Sequence, residues 1–112
     1  MSELAMVGID LGKHSFHLHS QDKPGRALFR KKLSCRQMRL FGNLPACTVV
    51  MKTCAGAHFV ARKLAAMGHE AKLISRQFVR PFVKGNKNDF GDAEAICEAA
   101  SRPSMRFCLT QN

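Results

Sequence analysis

The chain has 112 residues, with 18 Lys and Arg against 8 Asp and Glu, for a formal net charge of +10. That length suits one domain, and a hydrophobic share of 46% with eight Phe supplies a core and excludes a disordered chain. The longest apolar run, residues 47–51, falls far short of the ~20 residues that span a bilayer.

In chain order, Met6-Val7-Gly8-Ile9 reads as a buried strand ending at Asp10. Phe16 and Leu18 alternate with Ser15, His17 and His19, the pattern of a half-buried strand whose histidines form an exposed polar face. Asp22-Lys23-Pro24-Gly25 makes a turn into a third strand carrying Ala27, Phe29 and Leu33, which completes an antiparallel meander. Ser34-Cys35-Arg36-Gln37 has capping-box spacing and predicts a helix with Met38 and Phe41 inward, stopped near Gly42-Asn43 and Pro45. Residues 47–51 suit a strand covered on both faces. Val60, Leu64 and Met67 mark the next helix, with Gly68 as its C-cap. A strand follows over residues 70–74, then a short helix at Phe78 to Val83 broken at Pro81. After the polar Gly85-Asn86-Lys87-Asn88, the residues Phe90, Ala93, Cys97 and Ala100 form the apolar face of a last helix, ended by Arg102-Pro103. Met105, Phe107 and Leu109 alternate as a final strand. The pattern β-β-β-α-β-α-β-α is mixed α/β.

A pI near 10 on a folded domain points to a polyanion, nucleic acid before a membrane surface, since no basic amphipathic helix stands out. Cys35, Cys47, Cys54, Cys97 and Cys108 are odd in number and form no C-x-x-C pair. With no secretory leader legible at the start, they read as reduced, buried hydrophobes of a cytoplasmic protein. His58 and His69 flank a helix and read as capping or surface residues. No G-x-S-x-G, zinc spacing or phosphate-cradling glycine loop is present.

Asp10, at the polar end of the first strand, stands where open α/β sheets place ligands, although an acid there can simply face water. Asp89 and Asp92 lie at i, i+3, so both carboxylates reach one site; acids in a first helical turn also serve the helix dipole. Three acids at element ends in so basic a chain suit Mg²⁺, which binds through carboxylates and phosphate oxygens.

Four segments carry a resemblance. They are Val7-Gly8-Ile9-Asp10; Val49-Val50-Met51 into Cys54-Ala55-Gly56-Ala57-His58; residues 83–96, through Lys87-Asn88-Asp89 and Asp92-Ala93-Glu94-Ala95-Ile96; and residues 102–107. Together they resemble the DEDD-type insertion-sequence transposases, a family that includes the Piv invertases. The likeness covers nearly the whole chain and implies a RuvC-like, ribonuclease H-like N-terminal domain over residues 1–112.

In that family the D-E-D-D acids bind Mg²⁺ or Mn²⁺ for DNA strand cleavage and exchange. Asp10 matches the first position, Asp89 the third and Asp92 the fourth; the expected Glu is Lys52. An ammonium there repels cations, so the resemblance implies a metal site weakened or lost, with Lys52 holding a phosphate oxygen instead. Lys13, Lys52, Lys84 and Lys87 are the candidate nucleic-acid contacts. The resemblance further implies DNA and a structured guide RNA as partners, and a second copy or an intact transposase as protein partner. The family's second domain, with its nucleophilic Ser, is not among these residues, so the chain is expected to be one part of a longer protein or a shortened copy, impaired by itself. A non-catalytic nucleic-acid-binding regulator is the alternative. Gly8-Ile9-Asp10-Leu11-Gly12 also resembles the first phosphate loop of actin-like ATPases, but Lys13-His14 stand where hydroxyl residues normally follow.

Overall fold

A computed structural model describes residues 4–84 and 89–108, without the side chains of Cys35 and Asp89. The strands are β1 (Leu4–Leu11), β2 (Ser15–Asp22), β3 (Ala27–Ser34), β4 (Thr48–Lys52), β5 (Glu70–Ile74) and β6 (Phe107–Cys108). The α-helices are α1 (Ala57–Ala66), α2 (Arg76–Val79) and α3 (Asp89–Ala100), and 3-10 helices cover Cys35–Asn43 and Arg80–Phe82. The strands form one mixed sheet in the order β3-β2-β1-β4-β5-β6. β1, β4 and β5 run parallel, while β2, β3 and β6 are antiparallel to their neighbours.

The central strand β4 is apolar on both sides because both faces are covered. Val49, Val50 and Met51 are all fully buried, each contributing roughly 1.5–3 kcal/mol of burial. One face carries Val7, Ile9, Val49, Met51 and Leu73 against Phe41 and against Val60 and Leu64 of α1. The other carries Val50 and Ile74 against Val79 and against Ala95, Ile96 and Ala99 of α3.

The helix expected after Ser34 is present, and the Ser34 amide donates to Gln37 Oε1 at 2.9 Å as the capping box requires. It winds as a 3-10 helix rather than an α-helix. The apolar residues Met38, Phe41 and Leu44 recur every third position, and three residues per turn keeps them on one line facing the sheet. Gly68 adopts a left-handed φ of +95° after α1, the conformation a helix C-terminus asks of glycine. The short helix expected from Phe78 to Val83 begins earlier, at Arg76, and divides at Arg80 into α2 and a 3-10 turn carrying Pro81. The final strand is short and pairs with β5 through Ile74 opposite Phe107; Leu109 lies outside the described residues.

Three expectations are corrected. His17 and His19 are 9% and 3% exposed rather than forming a solvated face, because α3 packs across β1 and β2 on that side of the sheet. His17 meets the Phe90 ring edge-on at 4.9 Å. His69 is also buried: its Nδ1 accepts from the Cys47 amide at 3.3 Å and its Nε2–H donates to the Phe41 carbonyl at 2.6 Å. Those two bonds require the neutral Nε2–H tautomer and tie the end of the 3-10 helix to the start of β4. Of the cysteines, Cys47 and Cys97 are core residues as expected, but Cys54 and Cys108 are exposed, since each lies just past or at the end of a strand where no helix covers it.

Burial holds the His19 imidazole below its ordinary 6.5, opposed by Glu94, reinforced by Arg30 and opposed again by Glu98. The native state therefore takes up that proton less readily than the unfolded chain, and stability falls as pH drops through and below 6.5. Thermal melts between about pH 7 and pH 5 are expected to show this decline, and His19→Gln is expected to flatten it. Equal slopes in the two proteins would remove His19 as the cause.

Candidate functional site

Neighbouring parallel strands present their carboxyl ends together, and here the last parallel pair of β1 and β4 is Ile9–Met51. The next positions are Asp10 and Lys52. Because side chains alternate, both fall on the face that also carries Gly8 and Val50, the face covered by α3. Lys52 Nζ lies 3.5 Å from Asp10 Oδ1, with the two side chains 22% and 15% exposed. The Thr53 amide donates to the Ile74 carbonyl at 2.9 Å, which extends β4's pairing past Lys52 and fixes its position.

Gly8 sets how closely α3 approaches. A Cβ on Gly8 would meet the Ala93 carbonyl oxygen at 2.5 Å and Cys97 Sγ at 2.8 Å. That proximity brings the first turn of α3 to the end of β1. Asp92 thereby lines a small cleft of about 90 Å³ together with Lys52, Arg76, Val79, Arg80 and Val83. Arg76 and Arg80 come from α2 and the turn after it; sequence reasoning missed them, although their i, i+4 spacing places both on one helical face. Cys54, just after β4, feels the same charges. Partial burial and then the Asp10 carboxylate push its thiol above the ordinary value, against the pull of Lys52 and Arg76. It stays protonated at neutral pH and is no ready nucleophile.

The sheet thus brings Lys52 and Asp92 to one cleft, with Asp10 held against Lys52. Asp89 begins the same helix, and its carboxylate lies outside the described side chains. Among the described residues no group of three His, Cys, Asp or Glu side chains converges on one point. The Lys52 ammonium rests on Asp10, and a second cation beside that carboxylate would meet its repulsion.

No family model and no solved structure matches the chain. Curated proteins do. Over 108 residues, 96% of this chain and 32% of the relative, it is 60% identical to a transposase for insertion sequence element IS1328 of Yersinia enterocolitica. It is 50% identical over 105 residues, 93% of this chain and 31% of the relative, to a probable family 20 transposase of Pseudomonas aeruginosa. With a transposase for insertion sequence element IS1111A of Coxiella burnetii it shares 41% identity over 108 residues, 96% of this chain and 30% of the relative. Over this length the chain is homologous to proteins named as insertion-sequence transposases. It spans about a third of the length of these relatives.

The other sequence-predicted contacts are spread more widely. Lys13 is exposed in the turn between β1 and β2. Lys84 is exposed and bonds Glu98 Oε1 at 3.0 Å, an interaction that raises its pKa. Lys87 lies outside the described residues. Glu94 pairs with Arg30 of β3 at 3.0 Å. No helix of the described residues is long and apolar enough to cross a membrane.

Proposed function

We propose that the chain is the RuvC-like, ribonuclease H-like N-terminal domain of a DEDD-type insertion-sequence transposase, and that it holds nucleic acid without itself cleaving it. The observation that carries this reading is the Lys52–Asp10 ion pair at 3.5 Å. Where the resemblance puts a metal-binding carboxylate, this chain has a cation that neutralises the first acid of the set. What remains is a cleft with three cations, Lys52, Arg76 and Arg80, beside Asp92. Arg76 and Arg80 suit phosphate through forked N–H donors, and Lys52 suits it as a point charge. Support for the fold assignment comes from the mixed sheet, with a three-strand meander leading into parallel strands and helices on both faces. Support for DNA as the ligand comes from the net charge of +10 and from relatives named as transposases. Divalent metal is weakly held or not held, and strand cleavage, guide RNA and the second domain belong to the longer proteins of the family.

Counterion release tests the binding. Affinity for duplex DNA, read by fluorescence anisotropy, is expected to fall steeply with salt, and Arg76→Ala is expected to reduce the log–log slope by about 1. A flat salt response would overturn the reading.

A further inference from the structure

On the opposite face of the sheet from α3 lies a groove of about 490 Å³ between α1 and the 3-10 helix over Cys35–Asn43. Leu11 and Phe16 lie in it, and none of the residues lining it is acidic. Phe59 of α1 stands at its side 53% exposed, although Val60 and Leu64 of the same helix are buried. Arg36 and Arg39 rise from the 3-10 helix and Lys63 from α1, and Lys63 Nζ sits 5.1 Å from the centroid of the Phe59 ring. An exposed aromatic ring inside a purely cationic rim combines the two elements that bind single strands: a π face for a base and positive charge for its phosphates. A paired base has both faces stacked already and gains nothing from such a ring.

We propose that this groove takes an unpaired nucleotide of a nucleic acid strand, with the base stacked on Phe59 and the flanking phosphates held by Arg36, Arg39 and Lys63. The occupant is single-stranded because the recognition element is a ring rather than a row of base-edge donors, and it is polyanionic because the rim carries one sign of charge. The groove also reaches Gly12, Ala55 and Gly56, the turns that follow β1 and β4. A strand lying in it therefore ends near the same sheet edge as the Asp10–Lys52 cleft, from the other side. This site is distinct from that cleft and stands or falls separately.

The test uses the 112-residue chain with fluorescein-labelled oligonucleotides of one length: single-stranded DNA, single-stranded RNA and duplex DNA. Phe59→Leu keeps the buried face of α1 and is expected to weaken single-strand binding about tenfold while leaving duplex binding unchanged. Lys63→Gln is expected to weaken single-strand binding and lower its salt slope. The ratio of RNA to DNA affinity in the parent identifies which strand is the natural occupant; a preference for either supports the groove. Unaltered single-strand binding in Phe59→Leu would overturn the proposal, as would equal losses for single strand and duplex. A parent chain that binds duplex alone would overturn the groove and leave the proposed function standing. One that binds no oligonucleotide would overturn both.

Discussion

Replacing Lys52 by Glu is expected to make the chain less stable without metal and to give it a Mn²⁺-dependent stability that the parent lacks. At 3.5 Å the Lys52–Asp10 attraction is worth about 5 kcal/mol before desolvation at an effective dielectric near 20; dehydrating two groups that are 22% and 15% exposed takes back most of that. Lys52→Glu removes the favourable pair and sets a second carboxylate beside Asp10, a change of two charge units at one point. Without metal that repulsion is expected to lower stability by roughly 1–3 kcal/mol. A divalent cation between the carboxylates relieves it, and a ligand at 100 times its Kd stabilises by about 2.7 kcal/mol. For a domain of this size each kcal/mol moves Tm by roughly 4–8 °C, so millimolar Mn²⁺ is expected to raise the variant's Tm by several degrees and the parent's hardly at all. Equal Mn²⁺ shifts in the two proteins would show that Lys52 does not block the site. A nicking assay with supercoiled DNA gives the chemical counterpart: metal-dependent nicking at the same rate in both would contradict an inactive parent.

Gly8→Ala is expected to be the most disruptive single-methyl change in the sheet. The added carbon would stand 2.5 Å from the Ala93 carbonyl oxygen and 2.8 Å from Cys97 Sγ. The first of these is backbone inside a helix and cannot swing aside. α3 must lift as a unit, opening its contact with β1 and β2 and carrying Asp92 away from Lys52. Overpacking of this kind costs roughly 1–3 kcal/mol, a Tm loss of about 5–20 °C. Gly42→Ala supplies the contrast, since nothing lies within 4 Å of a Cβ there and its φ is not left-handed. It is expected to stay within about 0.5 kcal/mol of the parent. Similar melts for the two variants would mean that α3 does not press on Gly8.

Much of this architecture was legible because local periodicity reports which side of an element is covered. The strand over residues 70–74 is β5 as read, Ser34 and Gln37 form the expected bond, and Val60 and Leu64 face inward from α1. The failures share a cause. The alternation of His17 and His19 with Phe16 and Leu18 is that of a strand with one wet face, and nothing in it announces that α3, some seventy residues later, covers that face. His69 read as a surface residue for the same reason: its partners, Cys47 and Phe41, are distant in sequence.

The sequence alone determined the basic charge, the mixed α/β set of elements and the lysine at position 52. These are properties of composition and of neighbours along the chain. Only the tertiary structure decided that Lys52 closes on Asp10, that Arg76 and Arg80 turn into the same cleft, and that Phe59 stands exposed in a cationic groove on the other face. Each depends on which strands lie side by side and which helix covers which face. Those pairings join residues far apart in sequence, where no local pattern can register them.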